Sequence, residues 1–419
     1  MAGLDQGDTS PVGEAAAPRR LVVLFDRFGP YHLARINTLT RDFTVTGLEC
    51  FGESAEYAWQ KVTAPASFER LTLFPDHSAH EVGGLDLKRR IHTALSSARP
   101  DAVALPGWSH PGALAALHWC LQSGTPAILM SESTRHDAPR SPAKEWMKSR
   151  TVRLFSSALV GGQAHAEYLM KLGFPAARIF PGYDAVDNDY FATAAATARE
   201  RAGEVRARLG LPRHYFLASA RFIAKKNLPR LLEAYAQYRQ LAAIRRSPSS
   251  APWDLVLLGD GPLRPALHAQ LSMLNLRSHV HLHGYKQYDE LPAYYALASA
   301  FVHASTQEPW GLVVNEAMAC GLPVLVSHRC GCARELVREG RNGFTFDPED
   351  APTLAALMNQ LTQRDDLDSM GQESERMIRL WGPVEFASGM KSAFESAVGL
   401  RPVSPSLLGR VLLRALMFR

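Results

Sequence analysis

Two glutamates, Glu308 and Glu316, stand with seven residues between them in STQEPWGLVVNEAMACGLPVL. An ionised carboxylate only accepts hydrogen bonds, so it suits the hydroxyls of a ligand and repels its phosphates. The flanking residues decide where such a ligand lies. An apolar run ends near Ala304, Pro309-Trp310-Gly311 reads as a turn, and a helical pattern starts after Gly311. Gly311 lets the backbone approach a ligand closely. The N–H groups of Leu312 and Val313, at the positive end of the helix, make a place for a phosphate. An acid beside a phosphate site must touch something else, so Glu308 on the turn is placed for a hexose hydroxyl and Glu316 within the helix for a ribose.

A turn of this kind works at the carboxyl edge of a parallel sheet, and the chain carries two series of elements that would build one. RLVVLFD (20–26), FTVTGLEC, DAVALPG, PAILMSES and SALVGG alternate with helical segments in the first half. YFLASARF (215–222), DLVLLGDG, HVHLHGY, SAFVHAS and PVLVS do so in the second. The expected fold is α/β, two Rossmann-like doubly wound domains facing across a cleft. Their expected spans are 20–190 and 195–380, with a polar helical connector near 193–213 and a surface loop at RRSPSSAP (245–252).

Composition narrows the function classes. The 419 residues are 46% hydrophobic and 21% charged with a net charge of +5, too little to indicate nucleic acid, and no nucleic-acid motif occurs. No apolar run reaches the length of a membrane span. The start reads as a disordered leader over 1–19 rather than a signal peptide, which places the protein in the cytoplasm. Cysteines 50, 120, 320, 330 and 332 lack zinc-like spacing and are expected to be buried reduced thiols. The basic stretch 135–153 is either a solvated face or a surface for an anionic acceptor or membrane headgroups.

The E-x7-E pair, the following ACGLPVLVS, and GRNGFTFDPED (340–350) resemble the donor-binding signature of family 4 retaining glycosyltransferases, which adopt the GT-B fold. SARFIAKKN (219–227) is similar to the family segment that offers an arginine and a lysine to the donor diphosphate, here Arg221 and Lys226. LVLLGDGPLRPAL, VHLHGY with Tyr285 at its end, and RIFPGYDAVDNDYF also resemble family segments. The resemblance is dense from about 178 to 387. It implies a retaining transfer from a nucleotide-sugar to a glycan or lipid-linked acceptor in cell-surface polysaccharide or glycoconjugate synthesis. Glu308, Arg221 and Lys226 would act in catalysis, and Glu316, Gly311, Leu312, Val313 and Tyr285 would bind the donor. It also implies that WGPVEFASGMKSAFESAVG (381–399) crosses back to complete the first domain. Charge gathering on a leaving diphosphate is best met by fixed cations and helix N–H groups. Asp-x-Asp occurs at 187/189 and 366/368, neither at a nucleotide-binding strand end, so chemistry without a metal or other cofactor is expected.

The first half should take the acceptor. Gly29 lies on a strand-to-helix turn, and His32 is either a cleft residue or a cap or core histidine. The family often carries a histidine just after a first-domain strand; here the matching region, LMSESTRHD, has Glu132 directly after the strand and His136 later. Glu132 is a candidate partner for the acceptor or transferred sugar, and His136 a further candidate or only a loop residue. A nucleotide-sugar epimerase or a non-catalytic sugar-nucleotide sensor on the same fold remain alternatives. The end, SPSLLGRVLLRALMFR (404–419), is a basic apolar tail suited either to an anionic membrane surface or to packing on the first domain.

Overall fold

From Leu21 onward the strand Arg20–Phe25 is buried on both faces. Strands covered on both sides read as continuous apolar runs, which is why this one shows no alternation. The computed structural model describes residues 19–53, 65–138, 140–244, 251–403 and 407–417. The expected leader over 1–19 lies outside these residues except for Arg19, and most of the loop expected at 245–252 lies outside them too.

The first sheet contains β1 (Arg20–Phe25), β2 (Thr44–Phe51), β3 (Glu69–Phe74), β4 (Ala102–Pro106), β5 (Ala127–Ser131), β6 (Ser157–Val160) and β7 (Ile179–Pro181). Its order is β3-β2-β1-β4-β5-β6-β7, all parallel. The second contains β8 (Tyr215–Ser219), β9 (Asp254–Leu258), β10 (Val280–Gly284), β11 (Ala300–His303), β12 (Val324–Ser327) and β13 (Gly343–Phe346), in the order β10-β9-β8-β11-β12-β13, also parallel. Each sheet has apolar clusters packed around it, and both are doubly wound Rossmann-like layers. Strand order reverses between β1 and β4 and between β8 and β11, where a crevice opens at the carboxyl ends. Gly29 follows β1, Arg221 follows β8 and Glu308 follows β11, so these residues all stand at switch points.

The chain crosses between the domains twice. Helix Asn188–Glu200 buries Phe191 and Ala195 in the core of the second domain. Helix Pro383–Val398 returns to the first, where Phe386, Met390 and Phe394 join the cluster around β1 and Ser157 Oγ donates to Ala393 O at 2.6 Å. Each such buried side chain contributes roughly 1.5–3 kcal/mol. Asn188 Nδ2 donates to Ile378 O at 2.8 Å and ties the two crossings together.

The terminal helix Leu407–Met417 packs on the first domain. Leu413 and Met417 are 2% and 6% exposed, while Arg410, Val411 and Arg414 face outward. No helix among the described residues is long and apolar enough to cross a membrane.

Candidate active site

β11 ends at His303, and the five residues after it curl so that Glu308 turns back toward the strand end. Glu308 Oε2 accepts from His303 Nε2 at 3.0 Å and from Ser305 Oγ at 3.1 Å, and Lys226 Nζ donates to the same oxygen. Its side chain is only 12% exposed. Burial pushes this carboxyl up, but the His303 hydrogen bond and the Lys226 charge outweigh burial and hold it below the usual carboxylate range. Glu308 is therefore an ionised acceptor at the edge of the second sheet. Next to it Gly311 takes φ 106° as N-cap of the helix Leu312–Ala319, a conformation that a side chain would strain. The first bond in that helix runs from Val314 N–H to Gly311 O at 2.9 Å, so the N–H groups of Leu312 and Val313 precede the ladder. Gly331, on the loop after β12, donates to Glu308 O at 3.0 Å, and a Cβ there would meet Pro309 O at 1.7 Å.

Lys226 closes a short 3-10 turn, Ala224–Lys226. Asn227 follows at φ 58°, and its side chain donates to Ala304 O at 3.1 Å and Pro348 O at 2.7 Å. This links the β8 turn to the β11 edge and sets Lys226 against Glu308. Arg221 lies half-buried at the start of the same turn, its carbonyl accepting from Ile223 N–H at 2.9 Å.

Glu316 is fully buried, with 0% exposure. Tyr295 of the second domain donates to Oε2 at 2.6 Å, and Tyr31 of the first domain donates to Oε1. Burial pushes its carboxyl up to about 7 in spite of both hydroxyls. The sequence places Glu316 for a ribose, and here its oxygens are occupied by tyrosines. With the side chain fully buried, a ligand reaches this carboxylate only if the interdomain packing around Tyr31 opens.

On the first-domain side His32 caps its own helix: its Nδ1 accepts from Gly29 N–H at 2.9 Å, and its ring packs on Phe25 with centroids 4.1 Å apart. Burial lowers its pKa to about 3, so it is a neutral ring. Glu132 is half-buried after β5 and interacts electrostatically with Glu308, Asp184 and Arg35. Burial pushes both Glu132 and Asp184 up, each carboxyl acts on the other, and the Arg35 guanidinium offsets part of the effect. Asp184 is 1% exposed, and neither of its oxygens has a hydrogen-bond partner among the described residues. His136 is exposed on the loop after β5. Tyr285, at the end of β10, is raised to about 12 by burial, with Arg27 of the first domain pulling the other way.

The structure thus brings together Glu308, Lys226, Gly311 and Glu132, while His32 serves a helix end. Residues the sequence reading did not single out are His303, Tyr31, Tyr295, Asp184, Arg35 and His165. His165 Nδ1 accepts from Gly162 N–H at 3.0 Å, which leaves the proton on Nε2 to donate across the domains to Pro309 O at 2.9 Å. His303 was the most accessible of these, since it ends a strand five residues before Glu308. Both Asp-x-Asp spacings lie at helix starts: Asp187 accepts from Tyr190 N–H at 3.0 Å, and Asp366 pairs with Arg364 at 2.5 Å. All five cysteines are buried and unpaired.

Comparison with known proteins places this second-domain geometry in a matched span. Residues 204–378 match the family Glycosyl transferases group 1. The matched span includes Arg221, Lys226, Glu308 and Glu316. It is 27% identical over 282 residues to the alpha-D-kanosaminyltransferase of Streptomyces kanamyceticus, covering 64% of this chain and 68% of that one. It is 32% identical over 186 residues to the GDP-mannose-dependent alpha-(1-6)-phosphatidylinositol monomannoside mannosyltransferase of Mycolicibacterium smegmatis, covering 42% of this chain and 45% of that one. Among solved structures, the Anabaena protein HepE in complex with UDP superposes with a TM-score of 0.68 at 18% identity, over 90% of this chain and 100% of that one. At that identity the likeness concerns the fold. It covers the first domain as well, which lies outside residues 204–378.

Proposed function

We propose that the protein is a retaining, metal-independent glycosyltransferase that moves a sugar from a nucleotide-sugar to a glycan or lipid-linked acceptor in polysaccharide or glycoconjugate synthesis. The observation that carries this reading is the ionised Glu308, held by Lys226 and His303 at the switch point of the second sheet beside the open start of the Leu312 helix. In this reading the donor diphosphate lies against the N–H groups of Leu312 and Val313 and between Arg221 and Lys226. Negative charge grows on the leaving oxygen in the transition state, so donors fixed there lower the barrier more than they tighten ground-state binding. Lys226 has three N–H donors, enough to keep Glu308 and still reach a phosphate oxygen. Glu308 accepts from a hydroxyl of the transferred sugar, Glu316 from the ribose once Tyr31 has withdrawn, and Tyr285 lines the donor side. Glu132 faces the acceptor, with Gly29, His32 and His136 on the same rim. With Glu308 engaged by a cation and a histidine, departure and attack on one face of the sugar within an ion pair is the proposed course.

The exposed Arg410, Val411 and Arg414 of the terminal helix are proposed to rest on an anionic membrane surface, which would bring a lipid-linked acceptor to the cleft from the cytoplasmic side. The test is a nucleotide-sugar panel screened by thermal shift, followed by turnover and NMR of the product anomer. A product with inverted configuration, or activity abolished by EDTA and restored by manganese, would refute the reading. Donor consumption that needs no acceptor would point to an epimerase instead.

A further inference from the structure

The loops after β5 and β12 and the helix Gln163–Lys171 line a partly open cavity of about 330 Å³ between the two domains. The first domain contributes Arg135, His136 and Lys171 to its wall, and the second contributes His328, Arg329 and Arg334. Glu167, the one acid lining it among the described residues, is taken by Arg334, with Oε2 3.0 Å from Nη1. Arg329 is held from outside the cavity by Glu349 at 2.9 Å and Asp347 at 3.6 Å. Arg135 and Lys171 are left without an acid partner among the described residues. A concave wall with cations from both domains and no acid to spare is a site for an anion.

The position of Arg135 is fixed in advance. Arg140 donates to the carbonyl of Thr134 and, at 2.6 Å, to that of Arg135, while its guanidinium lies 4.6 Å from the ring centroid of Tyr168, itself on the cavity wall. The Thr134 N–H and hydroxyl each donate to Asp137 at 2.6 Å. A loop ordered this way loses little further freedom when a ligand arrives. On the opposite wall, Cys330 and Gly331 border the carboxylate turn, since Gly331 N–H donates to Glu308 O. Arg221, Lys226, Leu312 and Val313 do not line the cavity, so it is separate from the place assigned to the donor phosphates.

We propose that this cavity binds a phosphate group carried by the acceptor through Arg135 and Lys171, and thereby turns the acceptor hydroxyl toward the sugar held at Glu308. The assignment rests on the transferase reading and adds the acceptor class to it. The volume is near the lower end of small-molecule sites, roughly 300–1,000 Å³. It accommodates one phosphorylated sugar ring or the phosphate head of a lipid carrier, and the phosphate is the chemistry common to both.

The test uses the full chain with UDP present to fill the donor site. The phosphate probes are glucose 6-phosphate in solution and phosphatidylcholine vesicles containing phosphatidic acid; glucose and plain phosphatidylcholine vesicles are the neutral counterparts. At least one phosphate probe is expected to bind roughly tenfold or more tightly than its neutral counterpart, the scale of one charged hydrogen bond. The double variant Arg135→Ala, Lys171→Ala is expected to lose that preference and keep its affinity for UDP. Preference for glucose 6-phosphate assigns a soluble acceptor, and preference for the phosphatidic acid vesicles a lipid-borne one. If neither phosphate probe outbinds its counterpart, or the double variant keeps the preference, the proposal is overturned. Failure of wild-type protein to bind UDP, GDP, ADP or TDP removes the donor reading instead, and the phosphate preference is then still measured without nucleotide.

Discussion

Replacing Glu316 with glutamine should flatten the pH dependence of stability in the second domain. The side chain is fully buried between Tyr31 and Tyr295, and burial raises its carboxyl from the ordinary 4.5 to about 7. The folded chain therefore keeps this proton at pH values where the unfolded chain has released it. The associated stability is fully present below the unfolded value and is lost as pH rises toward about 7. A difference of about 2.5 units at 1.36 kcal/mol each amounts to roughly 3 kcal/mol over that window. For a domain of this size this is on the order of 6–12 °C in Tm. The amide introduced by Glu316→Gln does not titrate, yet its carbonyl can accept from one tyrosine and its N–H groups can donate to the other hydroxyl. Urea unfolding followed by tryptophan fluorescence at several pH values, for wild type and Glu316→Gln, gives the difference directly. Curves that run parallel through the window would show that Glu316 titrates like a solvated carboxyl, and the argument from burial would fail.

Tyr31→Phe removes the hydroxyl that holds Oε1 of Glu316. The unliganded protein should lose about 1–3 kcal/mol of stability, while UDP, no longer competing with that hydroxyl, should bind severalfold tighter by calorimetry; weaker binding would contradict the exchange of Tyr31 for ribose. Glu308→Gln leaves Lys226 and His303 without an anion, so turnover should fall roughly tenfold to a hundredfold with nucleotide affinity little changed, and unchanged steady-state kinetics would remove Glu308 from the site. Deleting residues 404–419 uncovers the surface beneath Leu413 and Met417, which should cost about 2–5 kcal/mol by thermal or urea unfolding. Sedimentation of the full and truncated chains with anionic liposomes should show loss of binding on truncation, and equal sedimentation would leave the tail a packing role alone.

Much of the site was legible because it is local. Glu308, Gly311 and the start of the Leu312 helix lie within five residues at one strand end, and strand-turn-helix grammar fixes their relative placement whatever the rest of the chain does. The long apolar strands were legible for the same reason. β3, in contrast, is an edge strand whose residues alternate only weakly between exposed and half-buried until Leu73, and β7 has three residues. Too few apolar positions gather in either for periodicity to register.

What the amino-acid sequence by itself determined is where polar groups gather at strand ends: two acids eight positions apart, an arginine and a lysine five residues apart, and a glycine at a strand-to-helix turn. Tertiary structure alone decided the state of those groups. Tyr31 reaches Glu316 across 285 positions and Lys226 reaches Glu308 across 82. Asp184 and Glu132 come close enough to act on each other's protons only when β5 and the segment after β7 meet at the cleft. Proton affinity depends on burial and on neighbouring charge, and both are properties of three-dimensional proximity. So Glu308 and Glu316, the same residue type eight positions apart, end on opposite sides of the ordinary carboxylate value. A lysine and a histidine hold one ionised, and a dry pocket between two tyrosines pushes the other toward its protonated form.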